Sequence, residues 1–591
     1  MLFSRRPLAA AFHLAPLSPP LLLFFASASS SCSPAASAAA ASVSGSRGCT
    51  AARMDSGAVE TASTGAVWSS PSAEPRSISV GKEVFCNRSL NMRNITAVGF
   101  DMDYTLAQYK PETFESLAYY GTIEKLVKDL RYPEELLTWE FDWKYMVRGL
   151  VLDKKRGNIL KVSYYLLTLP LMDRHKYVKV AYHGFKELSK EEKVAAYGST
   201  LIRDSFDEPD YALIDTLFSL GEAYLFAQLV DFIDKNPGKV PAGTESSKLS
   251  FFELALLCWY SYPLMYRDVR SAVDLCHRDG TLKRMVAKDP ARYINEDLAI
   301  VPMLEMIRKS GRSTFLVTNS LWDYTDVVMN YLCGPYTSGV GSGLNHKWLQ
   351  YFDIVITGRL VNLSILIYLH VICFSLKYMQ YFVKIGSPRS SHQHSTPVQK
   401  VYQGGNVGHL HRLLSVASSS QILYVGDHIY GDILRSKKVL GWRTMLVIPE
   451  LEQELKLLSE SKSTRKELRH LRMERDSIED KIHHLEWSLK LDDISENQKE
   501  KLFSEHDNLL KQRGHVRGLH QEAQRQHHQK FHKVWGQLMK TGYQNSRFAH
   551  QVERFACLYS SQVTNFGLYS PDKYYRPSED YMPHEFDVLG L

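Results

Sequence analysis

Val98-Gly-Phe-Asp-Met-Asp-Tyr-Thr-Leu106 is an apolar run that ends in two carboxylates one residue apart, Asp101 and Asp103, with Thr105 close behind. The apolar part, Asn94–Phe100, predicts a buried strand. A loop leaving its end would aim one carboxylate outward and keep the second within reach. Paired carboxylates at this spacing suit a hard divalent cation and an electrophilic phosphorus. An Asp-x-Asp pair by itself is also common in solvated loops, so its weight comes from the segments downstream.

Two more apolar runs end in polar groups. Thr314–Val317 predicts a strand ending in Thr318-Asn319-Ser320, and Gln421–Val425 one ending in Gly426-Asp427-His428, with Asp432 five residues beyond Asp427. Tyr351–Ile356, Arg443–Ile448, Leu150–Val162 and Tyr177–His183 read as further strands. Helical spacing marks Gly121–Leu130, Pro209–Ile233, Asp268–Leu275, Pro302–Lys309 and Trp322–Leu332. Strands alternating with helices predict an α/β fold, a Rossmann-like doubly wound parallel sheet with its active groups at the strand carboxyl ends. In such a sheet the three tips can share one crevice. One carboxylate could then attack phosphorus, and a second could carry the proton. Hydroxyl and N–H groups could hold the phosphate, and a further carboxylate could complete a Mg²⁺ shell.

The strings FDMDYTLA (100–107), FLVTNS (315–320) and ILYVGDHIYGDILRSKK (422–438) resemble motifs one, two and four of the haloacid-dehalogenase-like phosphatases. The resemblance is closer to the cytosolic purine 5′-nucleotidases and their 5′-nucleotidase-domain-containing relatives, and runs from about Val84 to Pro449. It implies Asp101 as nucleophile and Mg²⁺ ligand, and Asp103 as acid/base lending its backbone carbonyl to the metal. It implies Asp427 as the third protein ligand, Asp432 in support behind it, and Thr318, Asn319 and Ser320 around the phosphate. The segment 268–283 resembles the family's nucleotide-gripping cap segment, making Arg270, Asp274 and Lys283 candidate substrate contacts. Arg270 and Asp274 are four apart on one helix face, which also fits a simple helical salt bridge. The implied activity is Mg²⁺-dependent hydrolysis of a purine nucleoside 5′-monophosphate through an aspartyl-phosphate.

One part of the pattern is missing. The family carries a charge-compensating lysine, in a Lys-Pro context, just after the strand read at Tyr351–Ile356. Here RLVNLSILIYLHVICFSLKYMQYFVKIG comes after Gly358, and the first lysine is Lys377. Leu360–Leu376 is strongly apolar and, at 17 residues, sits at the short edge of membrane-spanning length. A span there would break up a catalytic sheet, so 357–399 reads as an atypical insert, and no membrane association is expected. Lys377, Lys384 and Lys400 are the lysines that could replace the lost one by looping back. A second function therefore stays open, a catalytically weakened homologue that binds nucleotide or protein, and a third is a phosphatase acting on another small phosphoester.

The remaining organisation comes from composition. Residues 1–53 hold four arginines and no acidic residue and are rich in Ala and Ser, as organellar transit peptides are; a secretory signal, or a cytosolic product begun at Met54, are the rival readings. Residues 1–80 are read as this address plus a disordered linker, 81–135 and 300–450 as the core, and 136–299 as an inserted cap. From 451 to 537 Leu468, Leu471, Ile478, Ile482, Leu485 and Leu489 form a heptad-like stripe, predicting a helical hairpin or coiled coil and a route to homo-oligomers. Residues 538–591 are aromatic and predicted to pack back on the core. A net charge of +7 over 591 residues is mild, suits an anionic small substrate, and does not point to nucleic acid. Eight cysteines without zinc-finger spacing suggest reduced thiols.

Overall fold

Ala97–Phe100 is strand β2, and its four residues are all buried because they alternate into two separate cores. Val98 and Phe100 enter the larger core, whereas Ala97 lies in the smaller one with Phe315, Tyr424 and Trp442. A sheet covered on both faces needs such continuous apolar strands. Gly99 has no alternative, since a Cβ there would lie 2.2 Å from the Phe315 ring. The computed structural model describes residues 78–165, 175–198, 210–236, 261–334, 346–358, 400–490, 495–542 and 544–577.

The central sheet comprises β1 (Phe85–Cys86), β2, β3 (Ser313–Val317), β4 (Ile354–Thr357), β5 (Val401–Gln403), β6 (Ile422–Gly426), β7 (Arg443–Val447) and β8 (Leu558–Ser560). Its order is β1-β8-β7-β6-β2-β3-β4-β5, parallel except for the edge strand β1. The chain order changes direction at β2, so β6 and β3 flank it and all three tips open on one side. A second sheet is antiparallel, in the order Lys186–Glu187, His175–His183, Asn158–Tyr165, Leu150–Asp153, Tyr211–Ile214.

The helices used below are α1 (Pro111–Leu130), α2 (Leu220–Lys235), α3 (Ser261–Arg278), α4 (Thr281–Lys288), α5 (Trp322–Cys333), α6 (Glu450–Glu460), α7 (Lys462–Ser488) and α8 (Glu496–Phe531). The last two run antiparallel, with His506 3.5 Å from Glu486 and Lys530 donating to Thr464 at 3.2 Å. Ile478, Ile482 and Leu485 meet Leu509 and Val516 between them, and Leu468 is also buried.

Four expectations change. Leu150–Val162 is not one strand but an antiparallel pair, Leu150–Asp153 and Asn158–Tyr165, joined by a turn. Pro209–Ile233 is not one helix: Tyr211–Ile214 alternates half-buried and buried residues and closes the antiparallel sheet against Leu150–Asp153, and the helix starts only at Leu220. Lys347–Tyr351 forms a 3-10 turn, so the strand after it starts at Ile354. The C-terminal tail does more than lie on the core, since β8 is an interior strand between β1 and β7. The address and linker read at 1–80, apart from its last three residues, lie outside the described residues, as do Leu360–Leu376, Lys377 and Lys384. Among the described residues no helix is long and apolar enough to cross a membrane.

Candidate active site

Asp101 extends the ladder one residue past β2, its N–H donating to the Val425 carbonyl at 2.9 Å, so its carboxyl stands at the strand's end. The chain then turns tightly. Leu106 and Ala107 both donate to the Met102 carbonyl, at 3.0 and 2.9 Å. Tyr104 takes the left-handed conformation, φ 58°, which costs a non-glycine residue about 1–2 kcal/mol. Burial of its ring offsets that cost, and its hydroxyl donates to Glu115 on α1. Anchored this way, the turn keeps Asp101 and Asp103 on the open side of the sheet.

The two aspartates face different partners. Asp103 Oδ1 accepts from the Tyr109 hydroxyl at 2.6 Å and Oδ2 from Ser320 Oγ at 2.8 Å. Asp101 instead groups with Asp427 and Asp432, one carboxylate oxygen of each lying within 4.8 Å of the others. Gly426 makes this possible: a Cβ there would lie 2.4 Å from Asp432, whose carboxylate folds back to accept the His428 N–H at 3.0 Å. Asp432 rides on a π-helical turn, Ile429–Leu434, capped by His428 Nδ1 at the Tyr430 and Gly431 N–H groups. Asp432 thus stands inside the carboxylate cluster rather than behind it, while the Asp103 side chain points away toward Ser320 and Tyr109.

Burial and mutual repulsion load the cluster. Burial first, then Asp432, Asp103 and Asp427, push the Asp101 carboxyl well above the usual range. Burial and Asp432 push Asp427 up in the same sense, against the pull of Arg148, and burial raises Asp432 to about 7. Asp427 Oδ2 is buried without a hydrogen-bond partner. Three such carboxyls with an orphaned oxygen fit a divalent cation, which would keep them ionised and supply the missing partner.

Thr318 and Ser320 are buried at the end of β3, while Asn319 is exposed. Thr318 Oγ1 accepts the Ser320 N–H at 3.1 Å, and Thr318 N–H donates to the Ile356 carbonyl at 2.9 Å, tying the tips of β3 and β4. Lys283, on α4, donates to Ser320 Oγ at 3.3 Å and lies 5.3 Å from the centre of the Tyr324 ring. Burial lowers its ammonium from the usual lysine value, and Asp103 partly restores it. The two other candidate contacts lie farther along α3: Arg270 donates to Glu222 at 2.7 Å and sits 3.4 Å from Asp274, the helical ion pair that the spacing also allowed. Glu115, Phe218, Glu222 and His277 line a narrow pocket beside them. Lys400 cannot reach the site, because it immediately precedes β5, at the end of a parallel strand opposite the tips.

Motif reading missed three supports. Arg148 is buried, donates to the Asp427 carbonyl at 3.1 Å, and forks Glu450 through Nε and Nη2 at 2.8 and 2.5 Å. Tyr109 and Tyr324 share a 2.8 Å hydroxyl contact behind Asp103. None carries a spacing signal; Arg148 and Tyr324 are recruited from distant parts of the chain, and Tyr109 lies six residues beyond Asp103.

Residues 84–587 match the model of the 5′ nucleotidase family. A 5′-nucleotidase domain-containing protein of Dictyostelium discoideum is 26% identical over 523 residues, covering 86% of this chain and 75% of that protein. The 5′-nucleotidase domain-containing protein 2 of Rattus norvegicus is 24% identical, covering 85% of this chain and 80% of its own length. The Homo sapiens protein of that name is also 24% identical, with 85% of each chain covered.

Proposed function

Since the chain belongs to the 5′ nucleotidase family, we propose that it is a phosphoric monoester hydrolase that releases phosphate from a nucleoside 5′-monophosphate, a purine one, with Mg²⁺, on a haloacid-dehalogenase-like fold. The observation that carries this reading is the meeting of three strand tips: the Asp101, Asp427 and Asp432 carboxylates within 4.8 Å, beside the Asp103–Ser320–Lys283 chain of hydrogen bonds.

Asp101 would attack phosphorus as the bond to the nucleoside oxygen breaks, forming an aspartyl-phosphate. Asp103, oriented by Tyr109 and Ser320, would give its proton to the leaving oxygen and take one back from the water that releases phosphate. Thr318, Asn319 and Ser320 would hold the phosphate oxygens and Lys283 would balance their charge. Asp101, Asp427 and Asp432, with the Asp103 backbone carbonyl, would hold Mg²⁺, which supplies charge neutralisation when bound. Residues 136–299, with the antiparallel sheet, would serve as the cap. Arg270 and Asp274 would turn from their ion pair toward the base.

Purified protein should release phosphate from IMP or GMP with Mg²⁺, and Asp101→Asn should abolish release while leaving the fold intact. The missing lysine after Thr357-Gly358 favours the second reading, a weakened homologue that binds nucleotide. Binding of nucleotide without turnover would select it.

A further inference from the structure

The α7–α8 hairpin is polarised along its length. Its outer half, residues 476–490 and 495–510, holds eight Asp and Glu against four Lys, whereas 462–475 together with 511–533 hold twelve Lys and Arg against three Glu. The buried contacts between the two helices use only their inner faces. On the outside of α7, Met473, Ser477, Asp480, His484 and Trp487 recur at spacings of three and four and are all exposed. Met473 is 65% and Trp487 66% exposed, unusual for side chains of this size and apolarity. They are separated by two heptads, so they share one face about 21 Å apart.

We propose that this face binds a second copy of the chain, hairpin against antiparallel hairpin, about a twofold axis at the level of Asp480. The chemistry is self-complementary, as a twofold interface requires. An antiparallel partner brings its acidic outer half over the basic half of the first copy, and the reverse. An axis at Asp480 is equidistant in sequence from Met473 and Trp487, so each Met473 meets the partner's Trp487. The same axis brings Arg472 to within two residues of the level of the partner's Glu486, about 3 Å along the helix. A parallel arrangement would set basic half on basic half and acidic on acidic, which like-charge repulsion disfavours. The inference stands apart from the hydrolytic reading, because no residue it uses lies at the strand tips.

Sedimentation velocity on the full chain tests it. At 50 mM salt and micromolar concentration the protein should be a dimer, with the dissociation constant rising at least tenfold at 500 mM salt. Trp487→Glu should raise it at least tenfold as well. Arg472→Glu and Glu486→Arg should each weaken the dimer, and the two together should restore it; these exposed sites leave the fold intact. Asp480→Cys should cross-link to itself under mild oxidation, whereas Lys466→Cys, some 21 Å from the axis along the helix, should not. A monomer at tens of micromolar in low salt, a dimer indifferent to Trp487→Glu, additive weakening in the double charge reversal, or oligomers that grow beyond two would each overturn the proposal.

Discussion

Lys283→Met should cripple phosphate handling, because Lys283 is the lysine that the described residues bring to Ser320 and Asp103. Its ammonium lies 3.3 Å from Ser320 Oγ, which itself lies 2.8 Å from Asp103 Oδ2. A phosphate hydrogen-bonded to Ser320 would sit roughly 4–5 Å from that ammonium. At an effective dielectric constant of about 20, one unit charge at ~4 Å contributes about 4 kcal/mol. Part of that attraction is already felt by the bound substrate, and the rest grows as charge accumulates on the transferring group. The expected loss in kcat/KM is about 10²–10³, comparable to removing one oxyanion donor. Inorganic phosphate, measured by calorimetry with Mg²⁺ present, should bind about tenfold more weakly. Lys283→Arg should recover much of both losses. The pH profile gives an independent check: burial lowers the lysine's pKa, so the wild-type basic limb should fall below the ordinary lysine range and move upward in the arginine variant. If Lys283→Met turns over within threefold of wild type and binds phosphate unchanged, the ammonium is not the compensating charge, and the described tips lack one.

Gly426→Ala should place a methyl group 2.4 Å from Asp432, displace its carboxylate, and weaken Mg²⁺ binding about 10–100-fold in titration calorimetry; unchanged affinity would remove Asp432 from the metal set. Arg148→Met should lose about 2–4 kcal/mol in urea unfolding, because it strands Glu450 and the Asp427 carbonyl. The loss lies toward the lower end because a third of the Glu450 side chain is exposed, and an unchanged midpoint would show the fork to be idle. Burial raises the Glu115 carboxyl to about 7 from a usual 4.5, so the folded state keeps a proton that the unfolded chain releases. Its contribution is complete below about pH 4.5 and is lost as pH climbs through 7, a span of about 3 kcal/mol. Glu115→Gln should flatten that decline, read as the change in melting temperature from pH 5 to pH 8; parallel curves for the two proteins would contradict it.

The strand tips are written in the chain itself. Apolar runs that stop at Asp101, Thr318 and Asp427 mark buried strands, because burial on both faces demands continuous hydrophobicity. The polar residues that end each run mark the groups available for chemistry. The hairpin was legible for a similar reason, since a heptad stripe is a local, periodic signal. Three-dimensional packing set the rest. Tyr211–Ile214 lies in an apolar stretch readable at either period, and pairing with Leu150–Asp153 made it a strand. Nothing in Leu558–Ser560 announces that it inserts between β1 and β7, more than a hundred residues beyond β7. Asp432 enters the carboxylate cluster because Gly426 leaves room for it, and Arg148 reaches the Asp427 carbonyl from 279 positions away. Such partners are chosen by where strands and loops meet in space, and a one-dimensional pattern carries no record of that distance.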